Sequence, residues 1–387
     1  MNSAYITAGL VTWARERAGL SVNELAVRLN VPQQTISAWE NGRQLPSFGK
    51  AEKLAERLHV PFGYLFLSSP PREDFPLPDL RTVNNVAISK PSVDFLDVVS
   101  DTVLKQQWYG EYLRETGALE VQFIGSCTPG EGFQRVAEKV RTALSIDHQA
   151  RAACGTWEEF LGYITHKAED LGIVVMQRGI VGNYTQRPLD VNEFRGFAIA
   201  DDFAPLVFIN SRDAKAAKNF TIVHELCHLW IGASGISNPD LRERSDQETN
   251  SIERFCNKVA AEVLAPRVDL AQRWSLGKSL KWNVENLARY YRVSRYVVVR
   301  QAFEISKITH PQFVDYLDKN PYFLKPAAPK EEDEGGNFYN TFAARNGRRL
   351  ISGVLNALDQ HKVTYRDASA LLGIKIATLK RVAERLG

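Results

Sequence analysis

The sequence predicts a multidomain protein: an all-α helix-turn-helix domain, then an α+β domain, then a small helical C-terminal domain. Three observations carry this prediction. Short capped helical segments crowd the first 67 residues, helical and strand-like apolar runs fill residues 95–320, and two proline- and charge-rich stretches separate these blocks from each other and from a basic tail. The expected boundaries are 1–67, a linker at 68–94, 95–320, a linker at 321–336 and a tail at 337–387. A chain of 387 residues with 44% hydrophobic content can bury a substantial core. At roughly 150 residues per domain it divides into two or three.

Residues 20–43 justify the first domain. Ser21 and Glu24 form a capping box that starts a short helix, and Leu25, Ala26 and Leu29 give it an apolar stripe. Asn30 suits the left-handed turn, and Pro32 suits the first position of a second helix. Leu25, Val31, Ile36 and Trp39 are expected in the core. With its Ser-x-x-Glu-Leu-Ala opening and Trp39-Glu40-Asn41-Gly42 ending, the segment resembles the Xre/Cro-repressor type of helix-turn-helix over residues 5–67. The resemblance implies that the second helix enters the major groove of double-stranded operator DNA. Gln33, Gln34 and Ser37 would then face base edges, and Thr35, Asn41 and Arg43 phosphate oxygens. A homodimer on a palindrome is the matching arrangement. The net charge of +3 is too small to carry this argument by itself, and a helix-turn-helix that only binds protein stays open.

The stretch 68–78 is too proline-rich to continue the helices and reads as extended. Helical periodicity returns at 95–117, 132–144 and 157–171, followed by strand-like runs at 172–176, 194–200 and 206–210. One edge strand could pair with an extended substrate backbone.

The chemistry starts at His224-Glu225-Leu226-Cys227-His228. Two histidines four apart lie on one helical face and can meet a single metal, while Glu225 is rotated off that line. A carboxylate placed there can take a proton from a water that zinc has acidified, with one coordination position left for a peptide carbonyl. HExxH is a zincin signature. Phe220 to Val223 before it and Leu229 to Ile231 after it make the helix apolar and buried, ending near Gly232.

A third ligand must come from elsewhere. Ser234 stands where a metzincin would need histidine, which excludes that subclass. Glu253 opens an apolar helix that Pro266 ends, and it shares a face with Asn257, whereas Glu262 falls half a turn away and reads as solvated. Glu243, Asp246 and Glu248 lie in a polar, loop-like stretch and are weaker candidates. His224, His228 and Glu253 plus water form the expected catalytic zinc set.

Residues 193–266 resemble the ImmA/IrrE metallopeptidases, through Arg195-Gly196-Phe197, Val207-Phe208-Ile209-Asn210, the run from Phe220 to His228, and the helix from Glu253 to Pro266. The resemblance implies a zincin-like metallopeptidase domain with Glu253 as third ligand, and a regulatory peptidase of narrow specificity that acts on a DNA-binding repressor. Cys227 departs from the family's usual interior of HExxH without touching the ligands.

Residues 283–305 read as a further helix, turn and helix, either a third helix-turn-helix-shaped element or, the favoured reading, a pair that completes the peptidase core. Beyond a second linker rich in proline, acid and glycine, residues 337–387 hold nine Lys or Arg against three Asp or Glu. The tail echoes the first domain at a constant offset of 343 residues: Thr364 and Asp367 for Ser21 and Glu24, Leu372-Gly373-Ile374 for Leu29-Asn30-Val31, Thr378-Leu379 for Thr35-Ile36. It is expected either to lie over the metal cleft as a pseudo-substrate or to add a second DNA contact.

No apolar run approaches the roughly 18 residues that a membrane span needs, and the start lacks a basic-then-apolar signal pattern, so a cytoplasmic protein is expected. Cys127, Cys154, Cys227 and Cys256 are too scattered for a disulfide framework, although Cys227 and Cys256 fall on the two metal-site helices and could form a redox-sensitive pair. Two function classes follow. One is a DNA-binding transcriptional regulator with zinc endopeptidase activity that relieves repression by cleaving a repressor, in trans or in itself. The other is a non-proteolytic regulator or antitoxin-like binding protein with a sensing or structural zinc. Glu225 separates them, because a structural site needs a fourth protein ligand and no base.

Overall fold

A computed structural model describes residues 3–71, 91–237, 251–320 and 337–386. Residues 238–250, with Glu243, Asp246 and Glu248, lie outside the described residues, as do 72–90 and 321–336, which hold most of both expected linkers. The described chain divides into two units, one of residues 3–71 with 91–99, the other of the residues from 100 onward.

The first unit packs α1 (Ala8–Arg17), α2 (Val22–Leu29), α3 (Gln33–Glu40) and α4 (Phe48–Leu58) around Leu25, Ile36, Trp39, Leu54 and Leu58. The capping box forms as expected: Ser21 Oγ accepts from the Glu24 N–H at 3.2 Å, and the Glu24 carboxylate accepts from the Ser21 N–H at 2.7 Å. Asn30 takes the left-handed conformation at φ 52°. Pro32 caps α3 instead of occupying its first position: its ψ of 145° is extended, and its carbonyl already accepts from the Thr35 N–H. A largely buried ion pair of 2.6 Å between Arg15 and Glu40 ties α1 to α3.

The second unit takes up most of α5 (Val93–Glu115), then α6 (Phe133–Ala143), α7 (His148–Ala153) and α8 (Trp157–Asp170). Three strands follow: β1 (Val174–Arg178), β2 (Gly196–Ile199) and β3 (Leu206–Asn210). The next elements are α9 (Lys215–Trp230), β4 (Gly235–Ser237) and α10 (Ser251–Leu264). Helices α11 (Arg267–Arg273), α12 (Leu280–Tyr291), α13 (Arg295–Glu304) and α14 (His310–Lys319) close the core. The four-stranded sheet has the order β1-β3-β2-β4. β1 and β3 run parallel, and the other two pairings are antiparallel. Every residue of β2 and β3 is buried, which explains why both read as continuous apolar runs rather than alternating ones. α9 packs across these two strands, with α8 and α10 beside it. Arg292 at φ 56° turns α12 into α13, whose Tyr296, Val297, Val298 and Val299 are buried, so this pair completes the core as expected.

The tail forms α15 (Phe338–Asn346), α16 (Arg348–Asp359), α17 (Tyr365–Leu372) and α18 (Ile376–Leu386). It belongs to the second unit. α15 lies along β1, the sheet edge remote from β4. The buried Arg178 of β1 binds Asp101 at 2.6 Å, the Arg345 carbonyl at 2.8 Å and the Asn346 side chain at 3.2 Å. Gly347, at φ 74°, brings its backbone so close that a Cβ there would stand 3.0 Å from the Val175 carbonyl. These contacts place the tail on the β1 edge, at the opposite side of the sheet from β4, and not over the His224, His228 and Glu253 cluster as a pseudo-substrate would lie.

Candidate metal centre

His224 and His228 project from one face of α9, and Glu253 from the first turn of α10, all three buried. His224 Nε2 lies 3.1 Å from His228 Nε2 and 3.1 Å from Glu253 Oε2, and His228 Nε2 lies 3.1 Å from Glu253 Oε1. Nitrogen and oxygen ligands held at 2.0–2.1 Å by one tetrahedral zinc stand about 3.3 Å apart, so this donor set fits the ion. Three acceptors aimed at one point in a dry interior also call for a cation. Among the described residues, these three are the only His, Cys, Asp or Glu that converge in this way.

The electrostatics agree. Burial resists ionisation of Glu253, but the hydrogen bonds and charges of His224 and His228 outweigh it and hold the carboxyl well below the usual carboxylate range. Burial lowers the pKa of His224 against the opposing pull of Glu253, which favours the neutral imidazole that a metal requires. Asn257 lies one turn beyond Glu253 on the same helix and adds a weaker upward pull on the His224 pKa.

Glu225 is fully buried and points from α9 toward β2. A Cβ on Gly196 would stand 2.9 Å from Glu225 Oε1, 2.9 Å from the Phe208 carbonyl and 2.9 Å from Thr221 Cγ2. The sequence alone assigns Gly196 no role. The signal was a glycine opening an otherwise apolar strand, which often marks a close approach.

One expectation changes in detail. Glu262 is not solvated: it is half-buried, accepts from the Arg267 N–H at 3.2 Å and pairs with that side chain at 3.7 Å. The Arg267 N–H opens α11 and needs an acceptor there. All four cysteines are buried free thiols. Burial, and a hydrogen bond that Cys256 donates to Cys227, push the Cys256 thiol well above its usual range.

In the first unit, Gln33 and Gln34 are exposed at the start of α3, Thr35 and Ser37 are half-buried, and Asn41 and Arg43 are exposed just beyond it. Asn41 donates to the Ser37 carbonyl at 2.8 Å. Ile36 and Trp39 face the core.

No helix of the described residues is long and apolar enough to cross a membrane. Comparison with curated proteins and with solved structures gave no match. Two family models do match, the helix-turn-helix at residues 11–65 and the IrrE N-terminal-like peptidase domain at residues 168–303. The second spans β1 to α13 and therefore the whole His224, His228 and Glu253 cluster. The chain is thus similar to the helix-turn-helix family over its first unit and, further along, to the IrrE N-terminal-like domain of the peptidases over the stretch that holds the cluster.

Proposed function

We propose that the protein is a DNA-binding transcriptional regulator whose second unit is a zinc endopeptidase, and that it relieves repression by cleaving a repressor-type protein. The supporting observation is the pairing of a three-ligand cluster with a buried carboxylate, Glu225, set beside it on the same helix. His224, His228 and Glu253 would hold zinc, which acidifies water and polarises a peptide carbonyl. Glu225 takes the proton of the attacking water and delivers it to the leaving amine. Gly196 leaves room for the Glu225 carboxylate against β2. Gln33, Gln34 and Ser37 read operator bases, and Thr35, Asn41 and Arg43 position the unit on phosphates.

The zinc-loaded full chain and its Glu225→Gln variant, incubated with the repressor encoded next to the gene and with the chain alone, test the reading. Cleavage by the wild type only, with equal zinc in both, is expected. Equal zinc and no cleavage by either would favour the regulator with a structural or sensing metal. Alanine at His224, His228 or Glu253 should remove about one equivalent of zinc, since a catalytic site has only three protein ligands.

A further inference from the structure

The second half of the tail repeats the geometry of the DNA-reading element bond by bond. Thr364 Oγ1 accepts from the Asp367 N–H at 3.2 Å, as Ser21 Oγ does from Glu24 at 3.2 Å. Asp367 returns the bond to the Thr364 N–H at 3.1 Å, as Glu24 does to Ser21 at 2.7 Å. Gly373 turns the chain at φ 64° where Asn30 does so at φ 52°. The Ile374 N–H reaches the Ser369 carbonyl at 3.1 Å, as Val31 reaches Ala26 at 3.0 Å. The Thr378 N–H reaches Lys375 at 2.8 Å, as Thr35 reaches Pro32 at 2.9 Å. Leu379 and Ile36, at matching positions, are both 0% exposed.

The two elements differ in what they present. Lys375, Ile376, Ala377, Lys380 and Arg381 are exposed at the start of α18. Between residues 361 and 381 there are five Lys or Arg and one acid, and that acid, Asp367, is committed to its cap. None of these five cations forms an ion pair among the described residues. The glutamines of α3 are replaced by Ile376 and Ala377, which offer no amide to a base edge.

We propose that α17 and α18 form a second DNA-binding helix-turn-helix, which holds duplex phosphates through Lys375, Lys380 and Arg381 with little base preference. A polyanion matches a surface of uncancelled cations, and α16 joins this element to the β1 edge while leaving the start of α18 exposed. The inference concerns a different surface from the metal centre and from α3.

The test measures binding of the full chain to a random-sequence duplex of about 30 base pairs between 50 and 200 mM salt, a range over which phosphate contacts show clearly. The variant Lys375→Gln/Lys380→Gln/Arg381→Gln should bind several-fold more weakly at low salt. Its log-log salt slope should be shallower by about 2 to 3, at roughly 0.9 per lost phosphate contact. Circular dichroism and the melting temperature should match wild type, and combination with Arg43→Ala should add to the loss. If folding is disturbed, the single Lys380→Gln, exposed on the helix surface, should lower the slope by about 1. Unchanged affinity and slope in a folded variant would overturn the proposal and make α17–α18 a protein-docking unit.

Discussion

Gly196 of β2 and Glu225 of α9 meet so closely that one added carbon on the glycine would stand 2.9 Å from the carboxylate oxygen. Real Cβ contacts are essentially never that short, and the strand backbone at Phe208 blocks retreat on the other side. Strand and carboxylate are therefore fitted to each other. Gly196→Ala should displace Glu225 while leaving His224, His228 and Glu253 in place. The expected result is retained zinc, a stability loss of about 1–3 kcal/mol from overpacking, and cleavage reduced at least tenfold. Full activity with full zinc would mean that Glu225 is not the base.

The reading face of α3 makes a separable prediction. Gln33→Ala or Gln34→Ala should relax base preference in a selection from random duplexes, because each removes a bidentate adenine contact worth about 1–3 kcal/mol. Arg43→Ala should weaken binding to all sequences and lessen the salt slope by about 1. A change of preference without a change of slope in Arg43→Ala would invert these roles.

How much was legible depended on how local the cause is. Caps, the Asn30 turn and the convergence of His224, His228 and Glu253 were readable, because a capping box and a pair of histidines on one helical face are set by residues three to four apart. Glu253 needed one more step, the shared helical face with Asn257. Tertiary causes were not readable. Nothing near Arg178 or Arg345 in the chain announces that they meet, across roughly 170 residues, on the β1 edge. The short elements α7, α11 and β4 also escaped, being too brief for a periodicity to show. Glu262 looked solvated because its partner, the Arg267 N–H, lies past a helix end.

The tail should be structural as well as basic. Gly353 of α16 faces Tyr109 of α5 so tightly that a Cβ would lie 2.5 Å from the ring. Gly353→Val should therefore undock the tail, bare the β1 edge and leave Arg178 without the Arg345 carbonyl and Asn346. Faster proteolysis after residue 320 and a lower melting temperature are expected, along with aggregation at concentrations where wild type stays clear. A variant as protease-resistant as wild type would show that the docking is dispensable.

The last prediction is a pH dependence at Lys105. This side chain is buried, donates to Asp101 at 2.8 Å and lies near Arg178, which shares the same carboxylate oxygen. Burial and then the Arg178 charge lower its pKa from 10.5 to about 8, against the opposing pull of Asp101. The folded state thus holds the proton less tightly than the unfolded state. Between about pH 8 and 10.5 the unfolded chain binds more protons at this site, so its contribution to stability improves as pH rises through that window. Below pH 8 the charged amine imposes its full cost, on the order of 3 kcal/mol. Lys105→Met keeps the volume and removes the charge, leaving Asp101 paired with Arg178 alone. Scanning calorimetry should find the methionine variant more stable than wild type at pH 7, with the advantage shrinking as pH approaches 10. A difference that stays constant across this range would show that Lys105 titrates in the folded protein as it does in the unfolded chain.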